Sequence, residues 1–134
     1  MALLADSSAW VEYLRRTGSP VDLQLDAAFG RGAEVAVTDV VIMEVLAGAR
    51  DDDDRDALRR MLYGCSFLTV DGPVDYEQAA EIYRACRRGG ETVRKLTDCL
   101  IAAVAIRNGV ELLHLDADFS TIARYAPLKL ALPA

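Results

Sequence analysis

The sequence predicts a three-layer α/β/α sandwich with a central, mostly parallel sheet. Short apolar segments of strand length alternate with helical segments along the whole chain, which is the pattern of a parallel sheet covered by helices. The strand segments are apolar on both faces, as expected for strands buried in such a sheet. A length of 134 residues suits one domain, which we place at residues 1–134.

Five segments have the composition of buried strands, and turn or capping residues interrupt the chain between them. Gly30 and Gly32 mark a turn before the second segment, and Gly72 with Pro73 follows the third. The predicted strands are residues 2–5, 34–37, 67–70, 112–115 and 128–132.

Helices are predicted in the intervals, where apolar residues recur at helical spacing. Ser7 and Ser8 can cap the first helix, and Thr38 and Asp39 the third. The predicted helices carry residues 10–14, then cover 21–29, 40–47, a stretch from the acidic run 51–54 through 62, 74–88, 92–107 and 119–125.

Composition excludes several classes of protein. The N-terminus has no basic region before its apolar run, and no apolar run is long enough to span a bilayer. Three widely spaced cysteines without a C-x-x-C pair predict neither a disulfide framework nor a zinc site. We therefore expect a cytoplasmic protein with reduced thiols, and a hydrophobic content of 52% predicts that a partner chain covers part of its surface.

The charge is uneven along the chain. The formal net charge of −6 argues against nonspecific coating of nucleic acid. Residues 1–78 carry 7 basic and 15 acidic side chains, whereas residues 79–134 carry 8 and 6. The C-terminal part is therefore the one suited to face a polyanion.

Four acids occupy positions where apolar residues are expected. Glu44 and Asp98 lie on the apolar faces of predicted helices, and Asp6 and Asp116 end predicted strands. Because ligand sites in open parallel sheets form at the carboxyl ends of strands, we expect the four acids to meet at one edge. Carboxylates ~6 Å apart repel by roughly 3 kcal/mol per pair at an effective dielectric near 20. Such a cluster must bind a cation or take up protons.

Oxygen ligands without cysteine or histidine favour Mg²⁺ or Mn²⁺. The matching chemistry is phosphodiester hydrolysis, in which the metal activates water. Each acid also has a structural explanation: Asp6 as a helix cap, Asp116 as a turn residue, Glu44 facing a loop, and Asp98 paired with Arg94.

Four segments in order along nearly the whole chain resemble the PIN-domain family, specifically the VapC-type toxins of bacterial toxin–antitoxin pairs. They are LLADSSAWVEYL around Asp6, TDVVIMEVLAGA around Glu44, TDCLIAAVAIRNG around Asp98 and LLHLDADFSTIA around Asp116. The resemblance implies a PIN-like fold and a Mg²⁺- or Mn²⁺-dependent endoribonuclease. It also implies a VapB-type antitoxin, a homodimer and a structured RNA substrate such as tRNA or rRNA.

The resemblance also implies roles for individual residues. The four acids would be catalytic, with Asp6, Asp98, Asp116 and the further acid Asp118 as metal ligands. Glu44 would orient the attacking water or bind a second ion. Ser7 and Thr38 match hydroxyl positions beside the acids, although helix capping explains both equally well.

Basic residues around the Gly89-Gly90 break are candidates for RNA phosphate binding. They are Arg87, Arg88, Arg94 and Lys95. A solvated helix end is the alternative explanation for them. His114, two residues before Asp116, is interpreted as a strand residue with satisfied hydrogen bonds rather than as a general base.

Two other functions remain open on the sequence alone. The first is a PIN-like module that binds RNA or protein without turnover. The second is a metal-dependent phosphatase, or a phosphoacceptor that uses Asp6 or Asp116.

Overall fold

The computed structural model describes residues 2–131, in which five short strands form one parallel sheet. The strands are β1 (Leu3–Ala5), β2 (Val35–Val37), β3 (Ser66–Phe67), β4 (Glu111–Leu113) and β5 (Lys129–Leu130). The helices are α1 (Ser7–Arg15), α2 (Pro20–Gly30), α3 (Asp39–Ala47), α4 (Asp52–Tyr63), α5 (Val74–Arg88), α6 (Leu96–Asn108) and α7 (Ala117–Tyr125). The predicted fold class is confirmed.

The strand order β3-β2-β1-β4-β5 places β1 at the centre of the sheet. Leu4 pairs with Ala36 of β2 on one side and with Leu112 of β4 on the other. The chain leaves β1 towards β2, and it leaves β4 in the opposite direction towards β5. The carboxyl ends of β1 and β4 therefore form the switch point at which such sheets bind ligands.

Helix α6 crosses the middle of the protein and is apolar on nearly all sides. Residues 98–105 are all buried, and Ile101 is fully enclosed in the same core cluster as Leu4 and Trp10. A helix that is apolar around its circumference belongs in an interior. Asp98, in its first turn, is thereby carried into the core.

Three of the predicted boundaries that differ from the structure do so because a tertiary hydrogen bond replaces a local one. Helix α6 begins at Leu96 rather than at residue 92, since the N–H of Arg94 donates to Asp118 Oδ2 at 3.2 Å. Strand β4 ends at Leu113 rather than at 115, since the N–H of Leu115 donates to Ser8 Oγ at 2.9 Å.

The third difference lies at the edge of the sheet. Strand β3 spans Ser66–Phe67 rather than residues 67–70, and the N–H of Val70 donates to Asp39 Oδ1 at 3.1 Å instead of to a neighbouring strand. The last predicted strand overlaps β5, but its residue 132 lies outside the described residues. Within residues 2–131, none of the helices combines the length and the apolar character needed to cross a bilayer.

Candidate functional site

Three carboxylates meet beside the carboxyl ends of β1 and β4. Oxygens of Asp98, Asp116 and Asp118, which we call the acidic cluster, all lie within 4.8 Å of one another. Asp98 lies in the first turn of α6, Asp116 is the N-cap of α7, and Asp118 lies in the first turn of α7. The positive ends of two helix dipoles therefore face the acidic cluster and offset part of its repulsion.

Asp6 lies outside the acidic cluster, but the charge of Asp6 acts on Asp98, which belongs to the cluster. It caps α1, where its Oδ2 accepts hydrogen bonds from the N–H of Ser8 at 3.0 Å and from the Ser8 hydroxyl at 2.7 Å. The charge of Asp6 contributes to raising the pKa values of both Asp98 and Glu44. Of the four acids predicted to meet, Asp98 and Asp116 lie together in the acidic cluster, whereas Asp6 and Glu44 lie outside it, and the charge of Asp6 acts on both Asp98 and Glu44.

Burial and neighbouring negative charges raise the pKa of Asp98 more than that of any other carboxylate described at the site. Its residue is 4% exposed. Burial raises the pKa of Asp98 to about 7, and the charges of Asp6, Asp116 and Asp118 raise it further in that order of cause. A carboxyl group that is half protonated near neutral pH indicates that the anionic site lacks sufficient cationic compensation from the protein itself.

Two buried carboxylate oxygens at this site accept no hydrogen bond from the described residues. They are Asp6 Oδ1 and Asp98 Oδ2. A buried oxygen without a partner is costly unless a ligand satisfies it, and carboxylate oxygens are the donors that hard divalent cations prefer. The site therefore fits a divalent cation, and these two carboxylate oxygens would be among its ligands.

Glu44 lies half-buried on α3, outside the acidic cluster. Its Oε1 accepts a hydrogen bond from Ser7 Oγ at 3.2 Å. Burial raises the pKa of Glu44, the charge of Asp6 raises it further, and the bond from Ser7 opposes both. Glu44 therefore holds a proton more readily than an exposed glutamate does.

Thr38 and His114 each make a hydrogen bond within the fold, and His114 follows β4 rather than lying in it. Thr38, fully buried, precedes α3 without capping it, because its hydroxyl donates to Asp39 Oδ1 at 2.9 Å. His114 Nδ1 accepts a hydrogen bond from the N–H of Asp116 at 3.1 Å. Burial lowers the pKa of His114, although the charge of Asp6 opposes this, so its imidazole is neutral at pH 7.

The predicted basic residues divide into two groups. Arg94 donates to Asp116 Oδ1 at 3.1 Å and to Asp118 Oδ2 at 3.4 Å, so its alternative pairing with Asp98 is wrong. The charge of Lys95, the exposed N-cap of α6, favours the ionised forms of Asp98 and Glu44. The second group, Arg87 and Arg88, is exposed in the last turn of α5, with the Arg87 guanidinium 5.6 Å from the centre of the Tyr83 ring.

Ser8 is a site residue that the sequence reasoning considered only as a helix cap. Its hydroxyl accepts from the N–H of Leu115 at 2.9 Å and donates to Asp6 Oδ2 at 2.7 Å. It therefore connects the end of β1 with the loop that carries Asp116. The signal in the sequence is the second serine after Asp6, but only the crossing of the two loops reveals its second partner.

We expect Ser8→Ala to weaken Mn²⁺ binding about 10- to 100-fold, the usual effect of removing a residue that orients a metal ligand. The substitution frees Asp6 to rotate, since only the backbone N–H at position 8 then holds it. Isothermal titration of Mn²⁺ measures the effect, and Ser8→Thr, which keeps the hydroxyl, should restore most of the affinity. Equal Mn²⁺ affinity in wild type and Ser8→Ala would contradict this role.

The raised pKa of Asp98 predicts that the free energy of unfolding of the metal-free protein falls as the pH rises from about 4 to 7. In this range the folded protein binds a proton at Asp98 that the unfolded chain has released, so unfolding becomes easier with rising pH. A change from 3.8 to about 7 corresponds to a loss on the order of 4 kcal/mol. Urea denaturation in EDTA measures it, and the difference between wild type and Asp98→Asn isolates this residue. A difference that stays constant with pH would contradict the assignment.

Comparisons with known proteins agree with this architecture. The family model described as PIN domain matches residues 3–125. Ribonuclease VapC11 of Mycobacterium tuberculosis is 47% identical over 130 residues, covering 96% of this chain and 97% of the relative, and a VapC ribonuclease of Mycobacterium bovis matches equally. The crystal structure of VapBC2 from Rickettsia felis, bound to a DNA fragment from its promoter, superposes with a TM-score of 0.76 at 15% identity, covering 98% of both chains.

Proposed function

Since the chain belongs to the PIN-domain family and is a VapC-type endoribonuclease of the toxin class, we propose that it cleaves RNA at a divalent cation held by the acidic cluster and Asp6. The observation that carries this proposal is a pair of buried oxygens, Asp6 Oδ1 and Asp98 Oδ2, that accept no hydrogen bond from residues 2–131. Asp98 also lies in the acidic cluster with Asp116 and Asp118. Their charge, burial and free lone pairs match a cation site better than a structural ion pair.

Mg²⁺ or Mn²⁺ is the cofactor that these ligands favour, because every donor is a carboxylate oxygen. Asp6, Asp98 and Asp116 would be the principal ligands, with Asp118 beside them. When bound, the cation supplies an activated water and charge neutralisation for phosphodiester hydrolysis. The protein contributes the buried position of the carboxylates, which excludes bulk water and strengthens their electrostatic effect.

Glu44 is suited to accept a proton from the attacking water and to return it. Its pKa is raised by burial and by Asp6, which brings a carboxylate closer to the pH at which it accepts and returns protons efficiently. Ser7 donates to Oε1, which fixes the carboxylate and leaves Oε2 to contact water. Ser7 thereby positions Glu44, and the buried Thr38 donates to Asp39 in the first turn of the same helix.

The four basic residues that precede Asp98 in the chain would bind the RNA backbone. Arg87 and Arg88 end α5, and Arg94 and Lys95 lie just before α6, close in the chain to Asp98. Cations that neutralise phosphates make affinity fall with salt. These four basic residues also explain how a protein with a net charge of −6 can approach an anionic substrate.

A VapB-type antitoxin is the partner we propose, and solved relatives of this fold are toxin–antitoxin complexes. A groove of about 460 Å³ beside Glu44 supports this, since apolar side chains of α1, α3 and α4 line it with Arg15 and Arg50. A segment bound there would cover Glu44. The homodimer, a tRNA or rRNA substrate, the cytoplasmic location and the single domain over residues 1–134 are further parts of the proposal.

Metal-dependent cleavage of RNA tests the proposed function. Purified protein incubated with total RNA should yield discrete fragments with Mn²⁺ or Mg²⁺, and EDTA should abolish them. Cleavage that survives EDTA would contradict the proposal. RNA binding without fragments would indicate a binding module instead, and hydrolysis restricted to small phosphate esters would indicate a phosphatase.

A further inference from the structure

Arg94 faces the acidic cluster from the loop that precedes α6. Its Nη2 donates to Asp116 Oδ1 at 3.1 Å, its Nε to Asp118 Oδ2 at 3.4 Å, and its backbone N–H to the same Asp118 oxygen at 3.2 Å. Two of the three clustered carboxylates are therefore already paired with a cation that belongs to the chain itself. The side chain of Arg94 is 71% exposed, so the guanidinium can leave without disturbing the core.

The loop that carries Arg94 is fastened to α7 at several points. Glu91 forms an ion pair with Arg124, and the Tyr125 hydroxyl donates to the carbonyl oxygen of Gly89 at 3.1 Å. A Cβ atom at position 89 would overlap the Tyr125 ring, which requires glycine at this close approach. Val93 is buried. The backbone at position 94 is thus held in place, and only the arginine side chain is free to move.

Charge compensation by Arg94 is one-sided. It engages Asp116 and Asp118, whereas the buried oxygens Asp98 Oδ2 and Asp6 Oδ1 keep no hydrogen-bond partner among residues 2–131. A divalent cation that binds Asp98 together with Asp116 or Asp118 is attracted by their negative charge. The Arg94 guanidinium reduces that attraction. Two cations a few ångströms apart also repel each other.

We infer that Arg94 is a competing counter-cation: it pairs with Asp116 and Asp118 and must release them before a divalent cation binds the acidic cluster fully. The inference rests on the proposed function. The released guanidinium then lies beside the acidic cluster, where an RNA phosphate must arrive. The opposite role, in which Arg94 positions the two carboxylates for the metal, predicts the reverse effect on metal affinity.

Mn²⁺ binding without RNA separates the two roles. Electron paramagnetic resonance of free Mn²⁺, at 0.15 M salt and pH 8, gives the dissociation constant for wild type and for Arg94→Gln. We expect Arg94→Gln to bind Mn²⁺ about threefold to tenfold more tightly, the effect of removing two exposed ion pairs. Arg94→Lys keeps the charge but cannot span two carboxylates, so its affinity should lie between the two.

The matched control is Arg59→Gln, which removes the same charge from α4, where the Arg59 guanidinium lies 4.7 Å from the centre of the Tyr63 ring. Its Mn²⁺ affinity should stay within about twofold of wild type, because salt screens distant charges. Equal or weaker Mn²⁺ binding by Arg94→Gln, with the control unchanged, overturns the inference. Failure of the wild type itself to bind Mn²⁺ would overturn the proposed function instead.

Discussion

Asp98→Asn is expected to reduce RNA cleavage by roughly 10²- to 10³-fold, because it removes a buried charge of the metal site. A bound metal contributes several kcal/mol of charge stabilisation to such reactions, and each 1.4 kcal/mol corresponds to a factor of ten in rate. Asparagine has almost the shape of aspartate, so the core around α6 remains packed. Initial rates of Mn²⁺-dependent cleavage of total RNA measure the effect.

The matched control for this substitution is Asp22→Asn. Asp22 is also buried, but it lies on α2, where its Oδ2 accepts a hydrogen bond from the N–H of Gly18 at 2.9 Å. An asparagine oxygen can accept the same bond, so cleavage should remain within about twofold of wild type. Metal-free Asp98→Asn should be at least as stable as wild type at pH 8, because it lacks the buried charge. Cleavage by Asp98→Asn at the wild-type rate would contradict its role.

Arg107→Ala is expected to destabilise the protein by about 3 kcal/mol without changing the active site. Arg107 lies in the last turn of α6 and donates to both oxygens of Asp75, in the first turn of α5, at 2.9 Å from Nε and 2.9 Å from Nη2. The Asp75 side chain is 2% exposed. Removing one partner of a buried ion pair leaves an uncompensated charge and costs about 3–5 kcal/mol, and the lower end applies because Arg107 reaches solvent.

The pKa of Asp75 agrees with this assignment. Burial alone would raise it, but the hydrogen bonds from Arg107 and from the N–H of Asp71 lower it below the usual value. The stability that this pair provides is therefore lost only as the pH falls through the lowered pKa of Asp75. Urea denaturation at pH 7 measures the loss in Arg107→Ala.

A double substitution completes the test of this ion pair. Asp75→Asn combined with Arg107→Gln removes both charges and should recover most of the stability. Since about 9 residues of helix, or ~13 Å, separate Arg107 from Asp98, cleavage per folded molecule should match wild type in Arg107→Ala. A loss of stability below about 1 kcal/mol would contradict the structural role.

The sequence was sufficient to predict the architecture because local signals and long-range contacts agree there. Asp6 follows an apolar strand, and Asp98 interrupts the apolar surface of a helix, so both positions are unusual in the sequence itself. Because β1 and β4 are neighbours, Asp6 and Asp116 follow strands that end at the same carboxyl edge, and α6 brings Asp98 to Asp116. The positions of these three acids therefore follow largely from the chain topology.

The remaining features depend on contacts between distant segments that no local pattern encodes. Ser8 looks like a helix cap, and its bond to the N–H of Leu115 spans 107 positions. Arg94 is four residues before Asp98 on a predicted helix, but α6 begins only at Leu96, and the Arg94 guanidinium pairs with Asp116 and Asp118 instead. In both cases a backbone N–H that the local prediction assigned to regular structure found a side-chain acceptor from another element.

Anomalous diffraction from crystals grown with Mn²⁺ locates the ion without reference to activity. We expect an anomalous peak within bonding distance of a carboxylate oxygen of Asp98 and of at least one of Asp6 and Asp116. Crystals that diffract well and contain Mn²⁺ only at other positions, or at none, would contradict it.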